Sequence, residues 1–487
     1  MPGKRLLALL AITLATTCPR APLLAAPVVP AASAPPVADV SVSVSARAVE
    51  AASDAIDLAA ALERAMRQSA LIEAAAAGTD VFEAKVAQAE SFQYPHIKLD
   101  SLLGPLPGKH GSAVYGHTDL AEWGVFASFE LTGYVPVYGF SKIQHLKKAA
   151  RLGVQVGKAL EDIARAEVRF RVLKGYFDLS LARELQSVME EGRGYFDKAK
   201  KHVEKMKAED DPSFDPIDEM KIRVYDAQVQ ARDLESIRQR AMALGGLRQA
   251  IGEDPQSGPD VATPVLETIT PLHDVTLEQA IAAAMQGRSD LVALRRGVAA
   301  RGAETRARYW AMYPDFVLAG SFKYTYSNVS DHQTSPFASD PWNGWSAGGG
   351  LALRWDIDIA RKLGEMHEAR ANRDKLSADL EDAERGVRLE VEKLFLEMRD
   401  AKTMVDAQTD ALKASRGWVV SKLDLYENDL ATLRDVLDGL LQFFQSRLDL
   451  LKAIHDYDVA VAALERAAGL DLVPVSTAAA ARAGGRE

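Results

Sequence analysis

The stretch DLAAALERAMRQSALIEAAAAGTDVFEAKVAQAESFQYP, residues 57–95, aligns without a gap on TLEQAIAAAMQGRSDLVALRRGVAARGAETRARYWAMYP, residues 276–314, at a constant offset of 219. Leu58 falls on Leu277, Ala61 on Ala280, Met66 on Met285, Gly78 on Gly297, and Tyr94-Pro95 on Tyr313-Pro314. The same offset carries Val168-Arg169 onto Val387-Arg388, Val172 onto Val391, Lys174 onto Lys393 and Tyr176 onto Phe395. Towards the end it becomes 217 and brings Asp218 onto Asp435, Leu247 onto Leu464 and Gly252 onto Gly469. Coiled-coil segments resemble one another, but matched Tyr-Pro pairs and glycines do not follow from helical periodicity. The chain therefore reads as one unit written twice, over residues 55–255 and 276–472, with a linker at 256–275.

Each unit has the same order of elements. Two helices lead to the Tyr-Pro pair, where Pro95 and Pro314 push the preceding residue out of the α region and end the helix. Two strand-like runs follow, within about 96–135 and about 315–357. Next come very long helices, about 140–209 and 358–426, each close to 70 residues. At 1.5 Å per residue these reach roughly 105 Å, far beyond an ordinary helix of about 11 to 12 residues, and belong to coiled coils. A last helix covers about 216–252 in the first unit and 432–469 in the second.

The strand runs alternate apolar and polar. Val125, Ala127, Phe129 and Leu131 alternate with Phe126, Ser128, Glu130 and Thr132. Phe316, Leu318, Phe322, Tyr324 and Tyr326 alternate with Val317, Ser321, Lys323 and Thr325, and Trp345, Leu351, Leu353 and Trp355 with Ser346, Ala352, Arg354 and Asp356. Segments of about ten residues with one apolar and one polar side suit a membrane barrel with lipid outside and water inside. If the chain runs up, down, up, down, Trp123, Tyr324, Tyr326 and Trp345 fall at one end, and Tyr94, Tyr134, Tyr313 and Trp355 at the other. Two belts of interfacial rings are expected from this sorting. Four strands cannot close a membrane barrel, since single chains begin at about eight. Oligomerisation is required, and the strand count by itself fits a dimer or a trimer.

Lys4 and Arg5, the apolar run Leu6 to Ala15 and the small residues and prolines beyond have the layout of a secretory signal peptide. The leader is placed at residues 1–26, with its cut between 26 and 40, followed by a Pro/Ala-rich linker to residue 54 and, at the other end, a flexible tail at 473–487. The single cysteine, Cys18, leaves with the leader or becomes a lipidated first residue. Beyond the leader no run of 18 apolar residues occurs, so no transmembrane helix is expected. Removing Lys4, Arg5 and Arg20 takes the formal charge from −10 to −13, which argues against nucleic acid as a partner.

Strand pairs between long coiled-coil helices, duplicated in tandem behind a signal peptide, closely resemble the TolC family of outer-membrane efflux proteins. The resemblance covers roughly residues 55–472 and is sharpest at Tyr426, followed nine residues on by Asp435-Val-Leu-Asp438. It implies a mainly α fold with a membrane β-barrel: long coiled-coil helices of three protomers forming an α-barrel, plus four strands per protomer of a 12-stranded β-barrel. Asp435 and Asp438, with Tyr426 at the turn, would then line a periplasmic gate. The family's arginine five residues after the tyrosine is here Ala431, so the closing contacts differ. Asn428, Asp429, Leu430 and Asp211, at the two periplasmic turns, would meet a periplasmic adaptor. The partners implied are two further copies of this chain, that adaptor, an inner-membrane pump or ABC transporter, and outer-membrane lipid.

Nothing in the sequence points to catalysis. The nine histidines are scattered without metal-ligand spacing, no phosphate-binding loop occurs, and Gly348-Gly349-Gly350 sits inside a strand, where it lets the wall bend or backbones approach. No cofactor and no metal are expected. The function expected is that of a passive trimeric export conduit in a tripartite pump or a type I secretion system. The alternatives, a periplasmic adaptor or a soluble coiled-coil scaffold, do not require paired amphipathic strands. Labels placed at 104–119 and 328–343 should react on intact cells, and labelling only after outer-membrane permeabilisation would reject this orientation.

Overall fold

The computed structural model describes residues 56–112, 114–209, 216–262, 266–427, 430–431 and 433–474. The expected leader and the Pro/Ala-rich linker lie outside these residues. In the first unit α1 (Leu58–Gln68) and α2 (Ala70–Ser91) lead into β1 (His96–Gly111) and β2 (Gly116–Tyr138). The helices α3 (Lys142–Ala208) and α4 (Pro216–Ile251) complete it. The second unit has α5 (Leu277–Gly287), α6 (Ser289–Trp310), β3 (Asp315–Ser327), β4 (Gly344–Arg354), α7 (Ile359–Glu427) and α8 (Leu433–Ala468).

The helix boundaries have local causes. Asp57 caps α1 by accepting from the Ala60 N–H at 2.7 Å, and Thr276 with Gln279 forms a full capping box at α5. The breaks after α1 and α5 fall at Ser69 and Arg288, both extended, and these positions are 219 apart like the sequence repeat. Gly252 and Gly469 stop α4 and α8 with φ of +92° and +68°, a left-handed conformation that glycine adopts without a Cβ clash.

One boundary differs from expectation. Phe140 was expected to open the first long helix, but Phe140 and Ser141 have φ of 44° and 66°, and the helix starts at Lys142. Such a left-handed pair costs on the order of 1–2 kcal/mol per residue. It is held by the Phe140 ring, which packs against Tyr138, Trp310, Tyr313 and Phe316 at centroid distances of 4.8 to 6.5 Å. At the matching joint of the second unit the contacts are ionic. Arg361 on α7 bonds Asp356, Asp358 and Glu365 at 2.7, 2.8 and 2.6 Å.

The core gathers where α1 and α5 pack against the middle of the long helices. Leu173 and Leu179 of α3, Leu247 and Ile251 of α4, Leu291 of α6, Val391 of α7, and Val461 and Leu464 of α8 are fully buried there. Leu247 and Leu464 are repeat partners, and so are Val391 and the equally buried Val172, so at these positions the duplication places equal hydrophobes at equal depth. Val473, assigned above to a flexible tail, is buried too, and its N–H and that of Leu472 donate to Glu465 at 2.7 and 2.8 Å. The packed chain therefore extends past the expected boundary, because Glu465 offers its carboxylate to two backbone donors.

The linker between the units is pinned at a buried acid. The Ile269 N–H donates to Asp458 Oδ1 at 2.9 Å, while Oδ2 of this 1 % exposed residue has no hydrogen-bond partner among the described residues. Burial pushes the Asp458 carboxyl up to about 7, against the pull of that backbone bond and of nearby His455. Its unfolded value is near 3.8, so the contribution to stability is full below that pH and falls as pH rises to about 7, by on the order of 4 kcal/mol per protomer. Asp458→Asn removes the ionisation. The variant should melt higher than the parent at pH 8 and show a flatter dependence of melting temperature on pH between 4 and 8.

Candidate functional site

All four strands form one antiparallel sheet in the order β1-β2-β3-β4. The two hairpins expected from sequence are thus joined by pairing of β2 with β3, from Phe126 opposite Ser327 to Tyr138 opposite Phe316. Register then sorts the side chains by face. Leu99, Leu131, Phe322 and Ala347 form one cross-strand row, Ser101, Phe129, Tyr324 and Trp345 the next, and Val135, Leu318 and Leu351 another on that side. The opposite side carries Lys98, Thr132, Ser321 and Gly348 in one row and Asp100, Glu130, Lys323 and Ser346 in the next. Among the described residues little covers the apolar side: Leu99, Leu351 and Trp345 are 64, 70 and 72 % exposed. Contiguous exposed apolar surface of this kind marks an interaction face, and alternation this regular marks one that meets lipid.

The register also corrects the aromatic sorting. Tyr324 and Trp345 stand directly opposite each other at the level of Phe129, and Tyr326 stands opposite Ala127. Trp123 lies six residues further along β2, opposite Pro107, so it stands roughly 20 Å beyond that level and outside the belt. Tyr134 lies on the polar side, stacked on His96 at 4.9 Å, with the Arg354 guanidinium 3.9 Å from its ring centroid. Period two, counted from Phe129 and Leu131, already puts position 134 on that side; sorting by strand end alone overlooks it. Trp355 follows β4 half-exposed, with its Nε1–H donating to the Met312 carbonyl at 3.1 Å. From the level of Tyr324 to that of Tyr138 the register spans Phe129 to Tyr138 on β2 and Tyr324 to Phe316 on β3, roughly 27–31 Å along the strands. At a tilt of about 40° this makes an apolar band roughly 21–23 Å high, close to the roughly 25 Å of an outer-membrane barrel.

Both outer strands keep a largely unpaired edge among the described residues, since β4 pairs only with β3 and β1 pairs with β2 apart from one bridge at its far end, from Lys109 to Ser330. The glycines of β4 have unequal roles. A Cβ on Gly349 would meet the Ala319 carbonyl oxygen at 3.3 Å, whereas those of Gly348 and Gly350 would meet nothing.

At the far end of the long helices, α7 turns into α8 through a bond from the Leu430 N–H to the Leu425 carbonyl at 2.8 Å. Tyr426 is half-buried just before this turn, and Leu430 is exposed within it. Asp435 and Asp438 stand in the first turns of α8, around the buried Val436, with side chains 43 and 54 % exposed. Lys422 on α7 reaches Asp435 at 3.4 Å, and Arg434 lies 3.9 Å from Asp438. The Lys422 contact crosses the hairpin between residues 13 apart, which helical periodicity does not reveal. Asn428, Asp429 and Asp211 lie outside the described residues. Among the described residues no helix is long and apolar enough to cross a membrane, and no cluster of His, Cys, Asp or Glu could hold a metal ion.

Residues 280–470 match the family model described as outer membrane efflux protein. Among curated proteins none matches the chain. Among solved structures, the transmembrane channel CusC superposes with a TM-score of 0.70 at 16 % identity, over 85 % of this chain and 92 % of its own. VceC of Vibrio cholerae, an outer membrane protein, gives 0.68 at 16 %, over 85 and 96 %. The CmeC outer membrane channel of Campylobacter jejuni gives 0.69 at 11 %, over 88 % of each chain. At these identities the likeness establishes the fold: mainly helical, with a four-stranded antiparallel sheet, as in outer-membrane channels. The two sides of the sheet can be told apart by substitution. Phe322→Arg, two residues inside the Tyr324 end of the apolar band, should cost roughly 1–3 kcal/mol, between the interface and midplane values, and deplete heat-resistant oligomer on a semi-native gel, and Ser321→Arg on the other side should leave the oligomer intact.

Proposed function

We propose that this chain, whose residues 280–470 match the outer membrane efflux protein model, is the protomer of a trimeric outer-membrane conduit. The observation that carries the reading is the sheet itself, apolar on one side, polar on the other and largely unpaired at both edges. Inside a bilayer every backbone polar group needs a partner, so such a sheet is stable there only when closed. Two copies give eight strands, whose interior side chains fill; three give twelve and leave a lumen. The helices support association with further copies, because the exposed Ile217, Met220 and Val224 of α4 and Leu389, Leu396 and Met404 of α7 offer apolar positions for a neighbouring copy to cover.

In this reading the barrel crosses the outer membrane, the long helices extend into the periplasm, and the α7–α8 turn meets an adaptor that links the conduit to an inner-membrane pump. CusC and CmeC are described as channels, and as a passive conduit this protomer too would catalyse nothing. Cargo would be selected mainly upstream by the pump.

Asp435 and Asp438 are the gate candidates. Three copies supply six carboxylates, and a ring of them in a narrow passage binds multivalent cations far better than monovalent ones. Lys422, facing Asp435, offers the hairpin a closing contact where Ala431 provides none. In a planar bilayer a trivalent cation on the periplasmic side should block conductance, and Asp435→Ala with Asp438→Ala should relieve the block. Equal block in both would reject the gate and leave the conduit standing. A helix-capping role alone would instead appear as a stability loss of about 0.5 to 2 kcal/mol per cap with block unchanged.

A further inference from the structure

We propose that the polar side of the sheet, at the end nearest the helices, carries a binding site for organic anions centred on Arg354 and Tyr134. The inference rests on the channel reading, in which this side faces the lumen. Tyr134 belongs to β2 and Arg354 to β4, with β3 between them, yet the guanidinium carbon lies 3.9 Å from the ring centroid. The two side chains meet above Ala319 and Gly320 of β3, which are small enough to leave the space open. Together with His96 and Lys98 they border a hollow of about 550 Å³ floored by Gly133, Gly320, Gly348 and Gly349. Small-molecule sites occupy about 300–1,000 Å³, so the space suits a ligand of one or two rings.

The charge arrangement decides the class of ligand. Asp315 stands opposite Arg354 in the register but is bonded by Lys142. Asp356 and Asp358, next along the chain, are bonded by Arg361 at 2.7 and 2.8 Å. Among the described residues Arg354 forms no ion pair. Its guanidinium lies against a ring on one side while its edge keeps N–H donors directed at no carboxylate, although the chain as a whole is acidic. An arginine fork takes a carboxylate or sulfonate through two parallel bonds, and one pre-oriented by stacking loses little freedom on doing so. Lys98 adds a second cation, although Asp100 is its partner at 2.8 Å. Thr132 and Ser321 supply hydroxyls at the rim, and the glycine floor accepts a flat apolar body. An anion attached to an aromatic ring fits this site better than a bare inorganic anion does.

The test uses the reconstituted full-length channel in a planar bilayer, with naphthalene-1-sulfonate as probe and inorganic sulfate as comparison. Wild-type conductance should fall as naphthalene-1-sulfonate is added, and sulfate should block far less. The half-blocking concentration should rise about tenfold in Arg354→Gln, the loss expected for one charge-assisted pair, and by a smaller factor in Tyr134→Leu. Arg354→Lys, which keeps the charge and loses the fork, should fall between wild type and Arg354→Gln, and it decides the matter if Arg354→Gln does not assemble. A conducting wild-type channel that naphthalene-1-sulfonate does not block, or equal block in wild type and the Arg354 variants, overturns the site while leaving the conduit. A wild-type protein that forms no conducting channel overturns the conduit reading and the site with it.

Discussion

Within a bilayer a backbone N–H or C=O without a partner costs several kcal/mol, and no water is present to supply one. A protomer with two open strand edges is therefore incomplete by construction. The pairing of β2 with β3 follows from the same requirement, since it joins two hairpins from different repeats into one wall and leaves only β1 and β4 to seek neighbours. In the channel reading the apolar rows on one side meet hydrocarbon, and the charged row Asp100, Glu130 and Lys323 on the other side meets water.

The helical part obeys a different constraint. Long helices gain little from propensity alone and need an apolar stripe covered along their length. Within the protomer that cover is dense around α1, α5 and the linker, where Leu247, Leu464 and Val391 are buried, and thin towards the α7–α8 turn, where Trp418 and Val420 remain exposed. The buried acid at Asp458 sits in the dense region, pinning the linker with one oxygen.

The sequence revealed most of what rests on period and repetition. Alternation from Val125 to Leu131 and from Trp345 to Trp355 assigns faces because each strand side chain has only two directions available. Matched glycines at 252 and 469 mark helix ends because a left-handed residue is needed there. What depends on register or on distant contacts was not legible. Trp123 looks equivalent to Tyr324 until the pairing shows how far β2 overshoots β3. Tyr134 is different, since its parity in the sequence already places it on the polar side and only sorting by strand end hides this. Lys422 meets Asp435 only once the hairpin is closed, and the Tyr134 to Arg354 contact spans two strand pairings. For Asn428, Asp429 and Asp211 the described residues add nothing to the sequence reading.

The duplication is imperfect at the joints between strands and long helices, and this has a mechanical side. The first joint is a left-handed pair wedged by the aromatic ring of Phe140, and the second is a guanidinium tied to three carboxylates at Arg361. Stacked rings hardly respond to ionic strength, whereas exposed charges are screened over a Debye length of about 8 Å at physiological salt. A closed three-fold ring would carry six such joints, alternately greasy and ionic. In brine the ionic three would slacken first, giving the collar a compliance with three-fold rather than six-fold symmetry.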